Sequence, residues 1–188
     1  MKKIISLALA VILMMSFAGC DKNLKIEKDE NNQNETSFDV GGFALGIDEE
    51  ENVVEIGMYT GDDEKVRVPD TVDGLPVVGI LANCFAGCDV EEVKMGKYVY
   101  YIESYAFQWT AIEEFEVPEG ATYLGDHVFL ECEELKKVTL PDSLETIGDN
   151  IFEGCVNEVE VVVEKDSFAH EYCEKILADG ANIKIKAK

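Results

Sequence analysis

Short apolar runs return along this chain at a fixed interval. Phe85, Phe107, Phe129 and Phe152 lie 22, 22 and 23 residues apart. An aliphatic residue stands five positions before each (Ile80, Ile102, Leu124, Ile147), and Cys88, Thr110, Cys132 and Cys155 stand three positions after. A second phase repeats as apolar-x-x-apolar-x-apolar in Val90/Val93/Met95, Ile112/Phe115/Val117, Leu135/Val138/Leu140 and Val156/Val159/Val161. Proline closes it at Pro118 and Pro141, as Pro69 does after Val68, and Gly96 takes that place in the second coil. Runs such as Glu114-Phe115-Glu116-Val117 alternate with a period of two, which predicts short strands that point one side inward. A period in the twenties predicts a solenoid, because one coil cannot bury its apolar face alone and must stack on the next. Stacking places the strands in parallel about 4.8 Å apart. The phenylalanines and the preceding aliphatics then form inner ladders, and each proline ends a strand by withholding an N–H.

Several stretches carry a resemblance to a known family. Ile147-Gly148-Asp149-Asn150-Ile151-Phe152-Glu153-Gly154-Cys155, Leu135-Lys136-Lys137-Val138-Thr139-Leu140-Pro141 and Asp73-Gly74-Leu75-Pro76-Val77-Val78-Gly79-Ile80 are similar to BspA-type leucine-rich repeats. The similarity runs over about residues 59–173, and Ser167 to Cys173 looks like the short helix that often closes such arrays. It implies a leucine-rich repeat solenoid, mainly β, that serves as an interaction scaffold on a bacterial surface rather than as an enzyme.

A solenoid exposes an apolar cross-section at each end, so caps are required. Phe43 to Ile47 and Val53 to Ile56, joined by the acidic turn Asp48 to Asn52, predict an N-terminal capping hairpin within residues 38–58. Residues 59–165 are expected to hold about four coils of 22–23 residues, with a C-terminal cap over 166–188. The cap reads as a helix from about Ser167 to Ala178, with Ser167 as its N-cap and Gly180 at its end, followed by a strand at Ile183 to Lys186. Loss of either cap is expected to abolish folding.

The first 19 residues read as a signal peptide. Lys2 and Lys3 precede Ile4 to Ala18, an apolar stretch too short to span a bilayer. Ser16-Phe17-Ala18-Gly19-Cys20 resembles a bacterial lipobox, with Phe17 where leucine is usual. That resemblance implies diacylglycerol on the Cys20 sulfur, cleavage before it, and acyl chains such as palmitate as the anchor. Residues 20–37 hold only Leu24 and Ile26 as aliphatics, which predicts a tether with no core. As a coil it would hold the domain on the order of 20 Å from the membrane.

Charge narrows the partners. Sixteen Lys and Arg against 39 Asp and Glu give −23, and loss of Lys2 and Lys3 with the leader leaves −25. Such a polyanion is repelled by nucleic acids and anionic headgroups, so membrane attachment is expected only through the Cys20 lipid.

Catalytic groupings are absent from the sequence: there are two histidines, His127 and His170, and no nucleophile elbow, phosphate loop or His-Glu-x-x-His. No cofactor and no metal is expected. Cys84-x-x-x-Cys88 lacks matching histidines, and Asp48 to Glu51 and Asp62 to Glu64 lack the glycine-pivoted alternation of a calcium loop. Beyond Cys20, Cys88, Cys132 and Cys155 recur at one repeat position and Cys84 replaces the small residue that is Ala106 one coil later, which fits buried thiols; Cys132 and Cys155 are the one pair to check for a disulfide. A hydrolase built on a pair such as Glu113 and Glu116 is the disfavoured third reading, because repeat scaffolds rarely build the enclosed, dry pocket that catalysis uses.

Outward strand positions are expected to stack as Glu92, Glu114, Lys137, Glu158 and as Lys94, Glu116, Thr139, Glu160, with Glu92 against Glu114 unfavourable. Aromatics break this acidity. Tyr98, Tyr100 and Trp109 occupy positions where sister coils carry small or polar residues, and with Tyr101, Tyr105 and Tyr123 they form the candidate binding patch. Tyr101 and Trp109 are expected to be largely solvent-accessible. The chain therefore reads as a lipid-anchored envelope protein that binds an extracellular or envelope protein or glycan. A structural role in a self-assembling surface complex is the alternative.

Overall fold

The computed structural model describes residues 38–188, apart from Gly41 and Glu49. The leader, Cys20 and the tether lie outside the described residues. The chain winds as a mainly parallel β-solenoid of two strand stacks joined by turns.

The first stack opens with an antiparallel lead-in of β1 (Phe38–Val40), β2 (Phe43–Asp48) and β3 (Val53–Tyr59). β3 then pairs in parallel with β6 (Leu75–Ile80), and β8 (Tyr101–Ile102), β10 (Tyr123–Leu124) and β12 (Thr146–Ile147) continue the ladder. β5 (Thr71–Val72) folds back on β6. The hairpin expected from the sequence is thus the first layer of the solenoid itself.

The second stack contains β4 (Lys65–Arg67), β7 (Glu92–Lys94), β9 (Glu114–Glu116), β11 (Lys137–Thr139), β13 (Val159–Val163) and β14 (Ile183–Ala187). These six rungs exceed the four coils that the phenylalanines count. The extra rungs lie at the ends, where no repeat phenylalanine stands: Tyr59 supplies the aromatic layer beneath Phe85, with ring centroids 5.4 Å apart, and β14 belongs to the cap. β4 pairs with β7, and β9 through β14 form one sheet, but no ladder joins β7 to β9. The expected Glu92–Glu114 stacking is therefore a break in the sheet.

Between the stacks runs the aromatic ladder. Phe85, Phe107, Phe129 and Phe152 stack at 5.0, 5.8 and 6.0 Å, and the first three are fully buried. Ile80, Ile102, Leu124 and Ile147 pair in register beside them. The fourth coil departs from the expected frame. Val138 pairs with Val161 and Lys137 with Glu160, so Val159, Val161 and Val163 point inward, while Val156 is 65% exposed. Glu160 thus replaces Glu158 beside Lys137. The alternating run Val159-Glu160-Val161-Val162-Val163 fits several frames, and pairing with β11 and β14 selects one.

Each turn between stacks holds two left-handed positions. One column is Asn83, Tyr105, His127 and Asn150 (φ 54–62°), and the other is Gly87, Trp109, Glu131 and Gly154 (φ 53–74°). In the first three members of each column the N–H reaches a carbonyl of the next coil. Tyr105 donates to the Asp126 carbonyl at 3.0 Å and Trp109 to that of Leu130 at 3.0 Å, one coil on. A side chain in this backbone region costs roughly 1–2 kcal/mol relative to glycine, and the inter-coil bonds offset it.

The C-terminal end is closed by α1 (Phe168–Ala178). Ser167 is its N-cap, accepting the His170 N–H at 3.1 Å, and Gly180 follows at φ 97°. Ala169 and Cys173 are buried, and the Tyr172 hydroxyl donates to the Gly148 carbonyl at 2.9 Å, so the helix covers the end of the first stack. Among the described residues no helix is long and apolar enough to cross a membrane.

Candidate functional site

The outward positions of the first stack run in register through Glu55, Gly79, Tyr101, Tyr123 and Thr146. Gly79 matters because it is bare: a Cβ there would overlap the Tyr101 ring. The ring lies down over this gap, and the Tyr101 hydroxyl donates to the Glu55 carboxylate. Tyr101 is half-buried, contrary to the open exposure expected from the sequence. The signal was present in Gly79, one coil earlier, where later coils carry Tyr and Thr. Burial, followed by the Glu55 carboxylate, raises the Tyr101 phenol far above its ordinary value.

Tyr100 packs against Tyr101 edge-on, with centroids 5.0 Å apart, and is itself 47% exposed. Tyr123 follows at 39%. Glu103 stands beside them, half-buried, accepting the Ala82 N–H at 2.9 Å. Burial pushes its carboxyl above the usual range, and repulsion from Glu55 adds to this against the opposing Ala82 bond. Burial also raises the Tyr100 and Tyr123 phenols, and the charges that reinforce the effect are carboxylates: Glu55, Glu51 and Asp48 on Tyr100, Asp126 and Glu103 on Tyr123.

The remaining predicted aromatics stand elsewhere. Trp109 is 48% exposed, as expected, and its indole N–H donates to Glu131 at 2.9 Å in the turn leaving β8. Tyr105 stacks on His127 at 5.0 Å in the same turn layer. His127 Nε2 meets Glu153 at 3.0 Å, while its Nδ1 is buried without a hydrogen-bond partner. Tyr98 lies in the loop entering β8 under the Lys97 ammonium, 4.7 Å from its ring centre. The patch read from the sequence thus divides, and the structure gathers Tyr100, Tyr101 and Tyr123.

The second stack carries its charge differently. Glu92 is bracketed by Lys65 at 3.5 Å and Lys94 at 3.0 Å, Lys137 meets Glu114 at 3.4 Å, and Lys186 meets Glu160 at 3.3 Å. A groove of about 450 Å³ follows the break between β7 and β9. Glu113 and Glu116, the carboxylate pair considered for hydrolysis, line it, and Glu113 is taken up by Lys136 at 3.0 Å.

Cys84, Cys132, Cys155 and Cys173 are free thiols, and Cys132 and Cys155 form no disulfide with each other. Cys132 Sγ donates to the Phe107 carbonyl at 3.0 Å and Cys155 Sγ to that of Phe129 at 3.3 Å, each one coil back. Burial pushes Cys155 and Cys173 up to about 12. Among the described residues no three His, Cys, Asp or Glu side chains converge as metal ligands.

The model of the BspA type leucine rich repeat region (6 copies) matches residues 64–176, more than half of the chain. The chain belongs to this family. Among solved structures, the BspA-type coil seen here is similar to that of a leucine-rich repeat protein of T. pallidum, with a TM-score of 0.56 at 22% identity over 68% of this chain and 71% of that one. A leucine-rich repeat protein from Bacteroides capillosus gives 0.52 at 20% identity, over 69% of this chain and 99% of that one. At these identities the likeness shows the fold. No curated protein matches the sequence. BspA-type membership accounts for the coils from β4 to β13 and for their inner ladder, and the tyrosines stand over Glu55 and Glu103 on the first stack.

Proposed function

We propose that this protein is a non-catalytic binding module of the bacterial cell envelope, held to the membrane by acyl chains on Cys20, which engages a protein or glycan through the first stack. The observation that carries this reading is the row of Tyr100, Tyr101 and Tyr123, two of them substantially exposed, on a sheet whose strands contain no lysine or arginine. Tyrosine offers large contact area with little side-chain freedom to lose, which suits it to binding surfaces. The repeat family supports a scaffold role, and the apolar leader ending at Gly19-Cys20 supports export and lipidation.

The test is photo-cross-linking on intact cells from a probe placed at Tyr100, compared with one placed at Glu160 on the second stack. Discrete adducts from Tyr100 that disappear with Tyr123→Ala are expected; equal or absent adducts from both positions overturn the reading. Metabolic labelling with an alkynyl fatty acid tests the anchor, with label expected on the wild type and lost in Cys20→Ala.

A further inference from the structure

The first stack differs from the rest of the surface in the sign of its charges. No strand of that sheet carries a Lys or Arg, whereas the strands of the second stack carry Lys65, Arg67, Lys94, Lys137, Lys184 and Lys186. Glu55, Glu103 and Asp126 make none of the ion pairs found among the described residues. Glu103 is half-buried with one N–H donor, and Glu55 receives the Tyr101 hydroxyl. Two carboxylates are thus held next to each other and to two exposed phenol rings with no cation to neutralise them.

Such an arrangement matches one ligand chemistry better than others. A guanidinium or ammonium group can lie on the face of an aromatic ring and donate to a carboxylate at the same time. A neutral glycan covering the sheet would desolvate Glu55 and Glu103 without returning a charge, which is costly. A divalent ion would need converging ligands, and no such group is present among the described residues. We infer that the first stack docks a basic polypeptide segment, its arginine or lysine side chains seated on Tyr100 and Tyr123 and paired with Glu55 and Glu103. The inference rests on the binding role proposed above and names the chemistry of the partner.

The test uses the full chain and a fluorescein-labelled peptide of alternating arginine and glycine, read by anisotropy, with the citrulline version as a neutral probe of the same shape. Saturable binding of the arginine peptide is expected, weakened by salt and at least about tenfold tighter than the citrulline peptide. Glu55→Gln with Glu103→Gln keeps both hydrogen-bond acceptors and removes two charges; it should weaken binding about tenfold. Glu114→Gln with Glu160→Gln removes the same charge from the second stack and should change binding by less than about twofold. Melting curves establish that both double variants fold. Equal losses from the two variants would show bulk attraction to a polyanion and overturn the inference, as would equal affinity for the two peptides. If adducts form at Tyr100 on cells while the arginine peptide does not bind, the binding role stands and the cationic partner is wrong. If neither occurs, both fail.

Discussion

On the second stack, Lys65 and Lys94 close on Glu92 and Lys137 on Glu114; on the first, Glu55 and Glu103 face Tyr101 with no cation on any strand of the sheet. Both surfaces come from one repeat and share one core. Their inward residues are alike because every coil must meet the same ladder, so the difference lies wholly in residues that stacking leaves free. The self-paired surface gains little stability, since exposed ion pairs contribute roughly 0.2–1 kcal/mol each. What pairing does achieve is to leave that surface with few unmet charges, whereas the first stack keeps its own.

The comparison breaks most completely if both stacks lose their common support. Truncation after residue 165 removes α1 and β14, uncovering the last coil on both sides, and is expected to abolish the cooperative thermal transition; a retained sharp melt would mean that the cap is dispensable. Phe107→Ala opens the ladder between Phe85 and Phe129 and should cost about 3–5 kcal/mol in urea unfolding, undermining the two sheets alike. A loss below about 1 kcal/mol would show that the aromatic layers are not the common support.

Smaller changes separate the stacks. Tyr101→Phe removes the hydroxyl from Glu55 and is expected to cost about 1 kcal/mol, whereas Lys137→Ala should cost less than about 1 kcal/mol; the reverse order would deny Tyr101 its positioning role. Acidity should act on the two surfaces with opposite sign. Burial raises the Glu103 carboxyl above its ordinary 4.5, so the folded state holds that proton more tightly, and this contribution to stability fades as pH rises. The Lys94 hydrogen bond lowers Glu92, so its contribution is present above 4.5 and fades as pH falls. In urea midpoints from about pH 4 to about pH 7, Glu103→Gln should gain on the wild type as pH rises and Glu92→Gln should lose. Parallel profiles would contradict the assignment.

Much of this architecture was legible in the residue pattern, and the reasons are specific. Phe85 to Phe152 recur because stacked coils must share a period, and Ser167, Gly180 and Ile183 mark the cap through their local chemistry. The inward frame of the fourth coil was not legible, since its run of valines satisfies more than one alternation until β11 and β14 choose. Nor was the break between β7 and β9, since Glu92-Val93-Lys94 and Glu114-Phe115-Glu116 alternate alike and read as neighbouring rungs. Tyr105, Trp109, His127 and Glu131 hid two left-handed columns, because glycine or asparagine marks those positions only in neighbouring coils. For the candidate site, the tyrosine cluster was visible, but its division followed from which residues lie on strands and which on turns.

The thiols give the fold a built-in clock. Cys88 lies in the first phenylalanine-bearing coil, Cys132 and Cys155 in the third and fourth, and Cys173 in the closing helix. Burial pushes the Cys155 and Cys173 thiols up to about 12, which slows their attack on an alkylating reagent while the last coil and the closing helix stay packed. The order in which an alkylating reagent reaches them therefore reads out where the array begins to fray, with no label introduced into the protein.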